Sequence, residues 1–160
     1  MLKILGLILI ISGSFGGSLW NAHYQKQRLL INESILDFVL YIKNRIHFFH
    51  ENLVDIYSSY ENDYLQKTGF LTAIGDLGFN EALEISGTND FFDKKVISVL
   101  NNFGKKLGKT GVEEQILNCD GCIEQLQQSI NKLRTETPDK IKMYSSLSVI
   151  AGLGISLLLI

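Results

Sequence analysis

Apolar positions in this chain recur in steps of four and three. Ile35, Val39, Ile42, Ile46, Phe49, Leu53, Ile56 and Tyr60 form one such series. Val112, Ile116, Cys119, Ile123, Leu126, Ile130 and Leu133 form another. A helix that buries one face shows this spacing, with polar residues on the opposite side. In the first series Asn32, Glu33, Asp37, Lys43, Asn44 and Arg45 supply the polar side. The register carries through His50-Glu51-Asn52, although three polar residues in a row equally suit a turn between two helices. A third stretch, Val96, Ile97, Leu100, Phe103 and Leu107, stops at Gly108-Lys109-Thr110-Gly111, where paired glycines permit positive φ and end a helix.

Between the first and third stretches, Gly69, Gly75, Gly78 and Gly87 interrupt residues 68–93. No period-two alternation appears there, so short helices joined by glycine turns are expected rather than strands. Thr137-Pro138 has the form of a cap and first position opening a final helix. The stripes are short, which favours antiparallel packing within one domain over a coiled coil. The fold class expected is all-α, an antiparallel helical bundle.

The two ends of the chain differ from this interior. Residues 4–22 and 143–160 carry no charged side chain. A hydrocarbon core takes about 20 largely apolar helical residues to cross, and in lipid the backbone must satisfy its own hydrogen bonds as a helix. The expected layout is a transmembrane anchor over 1–22, a helical-bundle domain over 23–139 and a second anchor over 140–160. Trp20 and Tyr24 stand where an interfacial aromatic belt would place them. The first segment also has the positive start and apolar middle of a secretory signal. It lacks a convincing small-x-small cleavage site and stays uncharged through Ala22. Lys26, Arg28, Lys132, Arg134, Lys140 and Lys142 flank the segments on the inner side, against Lys3 outside. The positive-inside bias therefore places the central domain in the cytoplasm and both termini across the membrane.

Composition narrows the function classes. A net charge of −2 over 160 residues offers no basic excess for a nucleic-acid backbone. Cys119-Asp120-Gly121-Cys122 has a spacing used in redox exchange or half a zinc site. Cys119, however, lies on an apolar stripe, and no second pair or nearby His completes a metal set. Packing is the expected role of Cys119, and Cys122 beside the stripe need not be buried. His47 and His50 are three apart, with Glu51 as the adjacent carboxylate, and no HExxH spacing exists. Glu113 and Glu114 suit the positive end of a helix dipole. Residues 104–111 superficially resemble a phosphate loop but lack its order of spacer, Gly-Lys and Ser/Thr. No catalytic residue, metal or cofactor is expected.

Three blocks of sequence resemble a known family. They are the opening Met1-Leu2-Lys3-Ile4-Leu5-Gly6, the closing run from Lys142 to Leu153, and Phe103-Gly104-Lys105-Lys106-Leu107-Gly108-Lys109-Thr110-Gly111 with Gln115. All three resemble stage III sporulation protein AB. Thr110-Gly111 replaces the Ser-Asp common in that pattern, and Glu51-Asn52 stands where Thr-Pro is common. The resemblance implies a membrane protein similar to the cytoplasmic domain of type II secretion and type IV pilus platform proteins. It would serve a secretion-like channel between mother cell and forespore, in the mother-cell membrane. The partners so implied are a cytoplasmic ring ATPase and the channel's membrane proteins, with self-association left open.

Exposed loops between bundle helices carry function more often than the helices do. The partner-binding residues expected on that basis are Lys105, Lys106, Gly108, Lys109 and Gln115. The rival readings are a secreted or periplasmic helical binding module and a membrane-tethered CxxC thiol protein.

Overall fold

The computed structural model describes the backbone of residues 2–87 and 91–159, and the side chains of 19–87, 91–151 and 154. The described residues are helical, with no strand among them. Helix α1 covers Leu2–Asn44, α2 Leu53–Ser58, α3 Asp63–Thr68, α4 Phe70–Leu77, α5 Phe79–Gly87, α6 Lys94–Lys106 and α7 Val112–Leu159. The chain divides into two compact units, Arg28–Lys132 and the paired ends Met1–Gln27 with Leu133–Ile160.

The unit Arg28–Lys132 is the helical bundle. Its core draws Ile35, Val39 and Ile42 from α1, Val96, Leu100 and Phe103 from α6, and Cys119, Ile123, Leu126 and Ile130 from α7, all buried. These are the positions that the four-three spacing selects. Through the centre runs a chain of aromatic rings from four helices. Phe38 meets Phe70 at 5.7 Å, Phe70 meets Phe79 at 5.5 Å, and Phe79 meets Phe103 at 5.3 Å, each edge to face. Such pairs place a ring's positive edge on its neighbour's negative face and add about 0.5–1.5 kcal/mol each beyond area burial.

Asn32 is a fully buried polar residue of α1, and its bonds explain it. Its amide N–H donates to the Arg28 carbonyl at 2.6 Å and to the Phe91 carbonyl at 2.9 Å, while Oδ1 accepts from the Asp93 N–H at 3.1 Å. Asp93 then pairs with Arg28 at 3.1 Å and caps α6 by accepting from the Lys95 N–H at 3.0 Å. One asparagine thus fixes the segment entering α6 against α1. Further along α1, Lys43 pairs with Asp120 of α7 at 2.6 Å.

The stripe over 35–60 breaks where α1 ends. Residues Arg45–Phe49 form a π-helical turn closed by His50 in the left-handed region at φ +52°, after which Asn52 caps α2 by accepting from the Asp55 N–H at 3.0 Å. His50-Glu51-Asn52 is therefore a turn. The wider π turn shifts the side-chain phase, so Ile46 stays buried while Phe49 leaves the core and is 63% exposed. The glycine-rich stretch 68–93 holds two short helices, α4 and α5, entered from α3, and Gly75 lies inside α4 rather than in a turn. Asn62 opens α3 with its side chain, and Gly69 and Gly78 take positive φ between α3, α4 and α5.

Thr137-Pro138 does not open a helix. Helix α7 runs on through Pro138. Thr137 is buried, and its hydroxyl donates to the Leu133 carbonyl at 2.7 Å inside the helix rather than capping a new one. Glu136 and Lys140 pair one turn apart across the proline at 2.9 Å. Pro138 is itself exposed, so water can take the carbonyl that its ring leaves without an N–H.

In the unit formed by the ends, several large apolar side chains are exposed. They include Trp20 at 78%, Met143, Leu147 and Ile150. Among the described residues, no helix is long and apolar enough to cross a membrane. Most side chains of the two expected anchors lie outside the described residues.

Candidate partner-docking turn

The turn between α6 and α7 owes its shape to two leucine-glycine and phenylalanine-glycine steps. Phe103 and Leu107 are buried and anchor the end of α6. The Leu107 N–H donates to the Phe103 carbonyl at 3.1 Å, and the Lys109 N–H to the Lys106 carbonyl at 3.2 Å. Gly108 takes φ +77°, and a Cβ there would stand 2.8 Å from Leu53 Cδ1. Of the two glycines in Gly108-Lys109-Thr110-Gly111, only Gly108 uses the left-handed region. The Gln115 side chain donates to the Thr110 carbonyl at 2.9 Å and ties the turn to the start of α7. Gln115 Oε1 and Thr110 Oγ1 are buried and lack a hydrogen-bond partner among the described residues.

The residues expected to bind a partner do not share one surface pocket. Lys105, Lys106 and Lys109 are exposed. Lys106 lines an open groove of about 310 Å³ between α6 and α7. Gly108 and Gln115 line a separate hollow of about 300 Å³, with Ile46, His50, Glu51 and Leu53 on its other wall. Lys105 and Lys109 line neither. Gln115 acts first as a brace for the turn. Glu113 and Glu114 are exposed in the first turn of α7, where the helix dipole favours them.

Gly104, one residue past Phe103, serves packing. A Cβ there would fall on Asn80 Oδ1 and come 2.6 Å from Phe79 Cδ1, so the start of α5 can lie against α6 only where the side chain is missing. The motif Phe103-Gly104-x-x-Leu107-Gly108 is therefore two buried anchors, one close approach and one left-handed turn.

Both cysteines are buried inside α7, beyond its first turn. Cys122 is thus a core residue, contrary to the expectation from its place beside the stripe. Desolvation, with a smaller push from Asp120, moves the Cys119 thiol up to about 12. Desolvation, then Cys119, moves the Cys122 thiol up to about 12 as well. A redox pair works through a lowered thiol pKa at an exposed site, and these have the reverse. His47 and His50 are exposed at the π turn, with His47 edge-on to Phe48 at 4.5 Å. Among the described residues no three of His, Cys, Asp and Glu are placed to hold a metal ion.

Two surface features escape the sequence reading. One is the α6–α7 groove, open because Gly121 offers no side chain and a Cβ there would meet nothing within 4 Å. The other is the pair Phe48 and Phe49, turned outward by the π turn. A glycine within a helical segment was the signal for the first; the second had none.

The family model described as stage III sporulation protein AB matches residues 3–160. No curated protein and no solved structure matches the chain.

Proposed function

Because the chain belongs to the stage III sporulation protein AB family, and so to the proteins of that stage of sporulation, we propose that it is a non-enzymatic membrane component of a secretion-like channel. In this reading the bundle couples a cytoplasmic ATPase to the channel's membrane proteins. The ends of the chain anchor it, and the bundle faces the cytoplasm of the mother cell. The likeness of the family to platform proteins of type II secretion and type IV pilus machines belongs to the same proposal.

The exposure of Trp20, Met143, Leu147 and Ile150 carries the reading. Large apolar side chains crowded onto exposed helix surface indicate a membrane or a protein partner. The adjoining stretches 4–22 and 143–160 are free of charge, and the Lys and Arg residues gather beyond them on the bundle side. Buried thiols raised to about 12 argue against thiol chemistry.

Protease added to intact spheroplasts tests the topology. The bundle between Tyr24 and Lys140 should survive from outside and be cut only after lysis. Digestion from outside would sink the cytoplasmic placement. Co-purification with the cognate ATPase tests the coupling: Lys105→Glu with Lys109→Glu should weaken it, with stronger salt dependence, if the turn docks the motor.

A further inference from the structure

The charges on the two helices that line the α6–α7 groove are segregated by sign. Helix α6 carries Lys94, Lys95, Lys105 and Lys106 and no carboxylate. Helix α7, from Val112 as far as Asn131, carries Glu113, Glu114, Asp120 and Glu124 and no Lys or Arg. Asp120 is held by Lys43 within the chain. Lys106 and Glu114 both line the groove, yet among the described residues neither forms an ion pair.

The groove between these strips is half apolar. Val99 and Phe103 line it from α6 and Leu117 from α7, and Leu117 is 69% exposed. Gly121 leaves a gap in the α7 wall, where an approaching helix meets no side chain. The two helices run antiparallel, since only residues 107–111 join them and Asn118 of α7 bonds the Phe103 carbonyl of α6 at 3.2 Å. Lys95, Val99, Asn102 and Lys106 follow one another at steps of four, three and four, on one face of α6. Eleven residues separate Lys95 from Lys106, or about 16 Å along a helix. Ten separate Glu114 from Glu124, or about 15 Å.

We propose that this face is a homodimer interface, with a second copy of the same chain as its occupant. A two-fold axis running along the groove, in the plane of the interface, lays α6 of each copy over α7 of the other. Position along the groove is then kept. Lys106 meets Glu114 of the partner subunit near the turn, and Lys95 meets Glu124 of the partner subunit at the far end. The matched spacings let both pairs form together, and the symmetry makes each form twice. Leu117 of each copy is covered by the opposite α6, and the gap at Gly121 lets the helices close. An axis across the groove would instead put α6 on α6, lysine against lysine. Uniform-sign partners fit only half of such a surface, whereas a second copy fits all of it.

The test uses the full chain in detergent micelles, labelled with donor and acceptor dyes and diluted through the dissociation range. Wild type should dimerise, and added salt should weaken the dimer. Lys95→Glu with Lys106→Glu should raise the dissociation constant at least about tenfold, and so should Glu114→Lys with Glu124→Lys. All four residues are exposed, so each variant should stay folded, with the unfolding midpoint lowered only slightly where Glu114→Lys reverses a charge that the helix start favours. Mixing the two variants should restore dimerisation to near wild type, because each copy then presents the sign that the other lacks. Gly121→Leu, which adds a side chain into open space on a helix, should weaken the dimer with the fold intact. A wild-type chain monomeric throughout the range overturns the proposal. So does a dimer that ignores all three variants, which would locate association elsewhere, or a mixture that fails to recover. Lys105 and Lys109 are untouched here, so this result stands apart from ATPase co-purification.

Discussion

Asn80 fills the space that a side chain on Gly104 would need. The amide of one helix sits against the bare backbone of the next, and α5 reaches α6 through that gap. Phe79, the neighbour of Asn80, is drawn in at the same time and lies 5.3 Å from Phe103, ring to ring.

Gly104→Ala should therefore destabilise the bundle, by about 1–3 kcal/mol, even though alanine is the better helix former. Chemical denaturation followed by circular dichroism would measure it. Asn80→Ala alone should cost less, and combining the two should recover part of the loss, since Phe79 Cδ1 remains 2.6 Å from the new Cβ. A neutral Gly104→Ala would show that α5 and α6 separate freely.

Gly108→Ala should cost about 1–2 kcal/mol, the usual penalty for a side chain in the left-handed region. The Leu53 methyl that it would crowd is the end of a flexible side chain and can yield. Gly111→Ala, with no positive φ and open space around it, should be close to silent. Equal effects at the two glycines would mean that the turn is not held at Gly108.

Asn32→Ala should be among the most damaging single changes in the bundle, at roughly 2–4 kcal/mol. It removes the bonds that the Asn32 amide makes to the Phe91 carbonyl and the Asp93 N–H inside the bundle. The mark of this mechanism is local: hydrogen exchange at the Asp93 amide should accelerate more than at the centre of α7.

The thiols give a pH prediction with a definite sign. Both are raised from the usual thiol value of 9 to about 12. The folded chain therefore keeps protons that the unfolded chain releases between those values. The stabilisation is complete below pH 9 and is lost as pH rises from 9 towards 12. Maleimide should label neither cysteine at pH 7–8 until the protein unfolds. Cys119→Ser and Cys122→Ser should each cost about 1–3 kcal/mol, because both bury a hydroxyl. Loss of function without loss of stability in either variant would revive a chemical role.

Much of the bundle was legible in the sequence because helix periodicity is a local property. A helix that buries one face must repeat its apolar side chains at that period, and the buried residues from Ile35 to Ile46, Val96 to Leu107 and Cys119 to Leu133 do so. Glycine punctuation was equally plain at Gly69, Gly78 and Gly108, where the backbone takes a conformation that other residues resist. The family pattern could be read from the same residues without knowing why they were there.

What the tertiary structure alone decided depends on neighbours distant in the chain. Phe49 kept the period yet left the core, since one π turn rotates everything after it. Cys122 lay beside the stripe yet is covered, because it stands three residues after Cys119 and four before Leu126, on the edge of the same buried face. Thr137-Pro138 had the residues of a helix start, but a hydroxyl bond within the helix and solvent around the ring let α7 continue. The sequence also held Lys106 and Glu114 eight positions apart with nothing to relate them; the antiparallel turn sets them on facing walls of one groove. Local spacing specifies which residues must be hidden within a helix, while what each helix face meets is a matter of packing between segments.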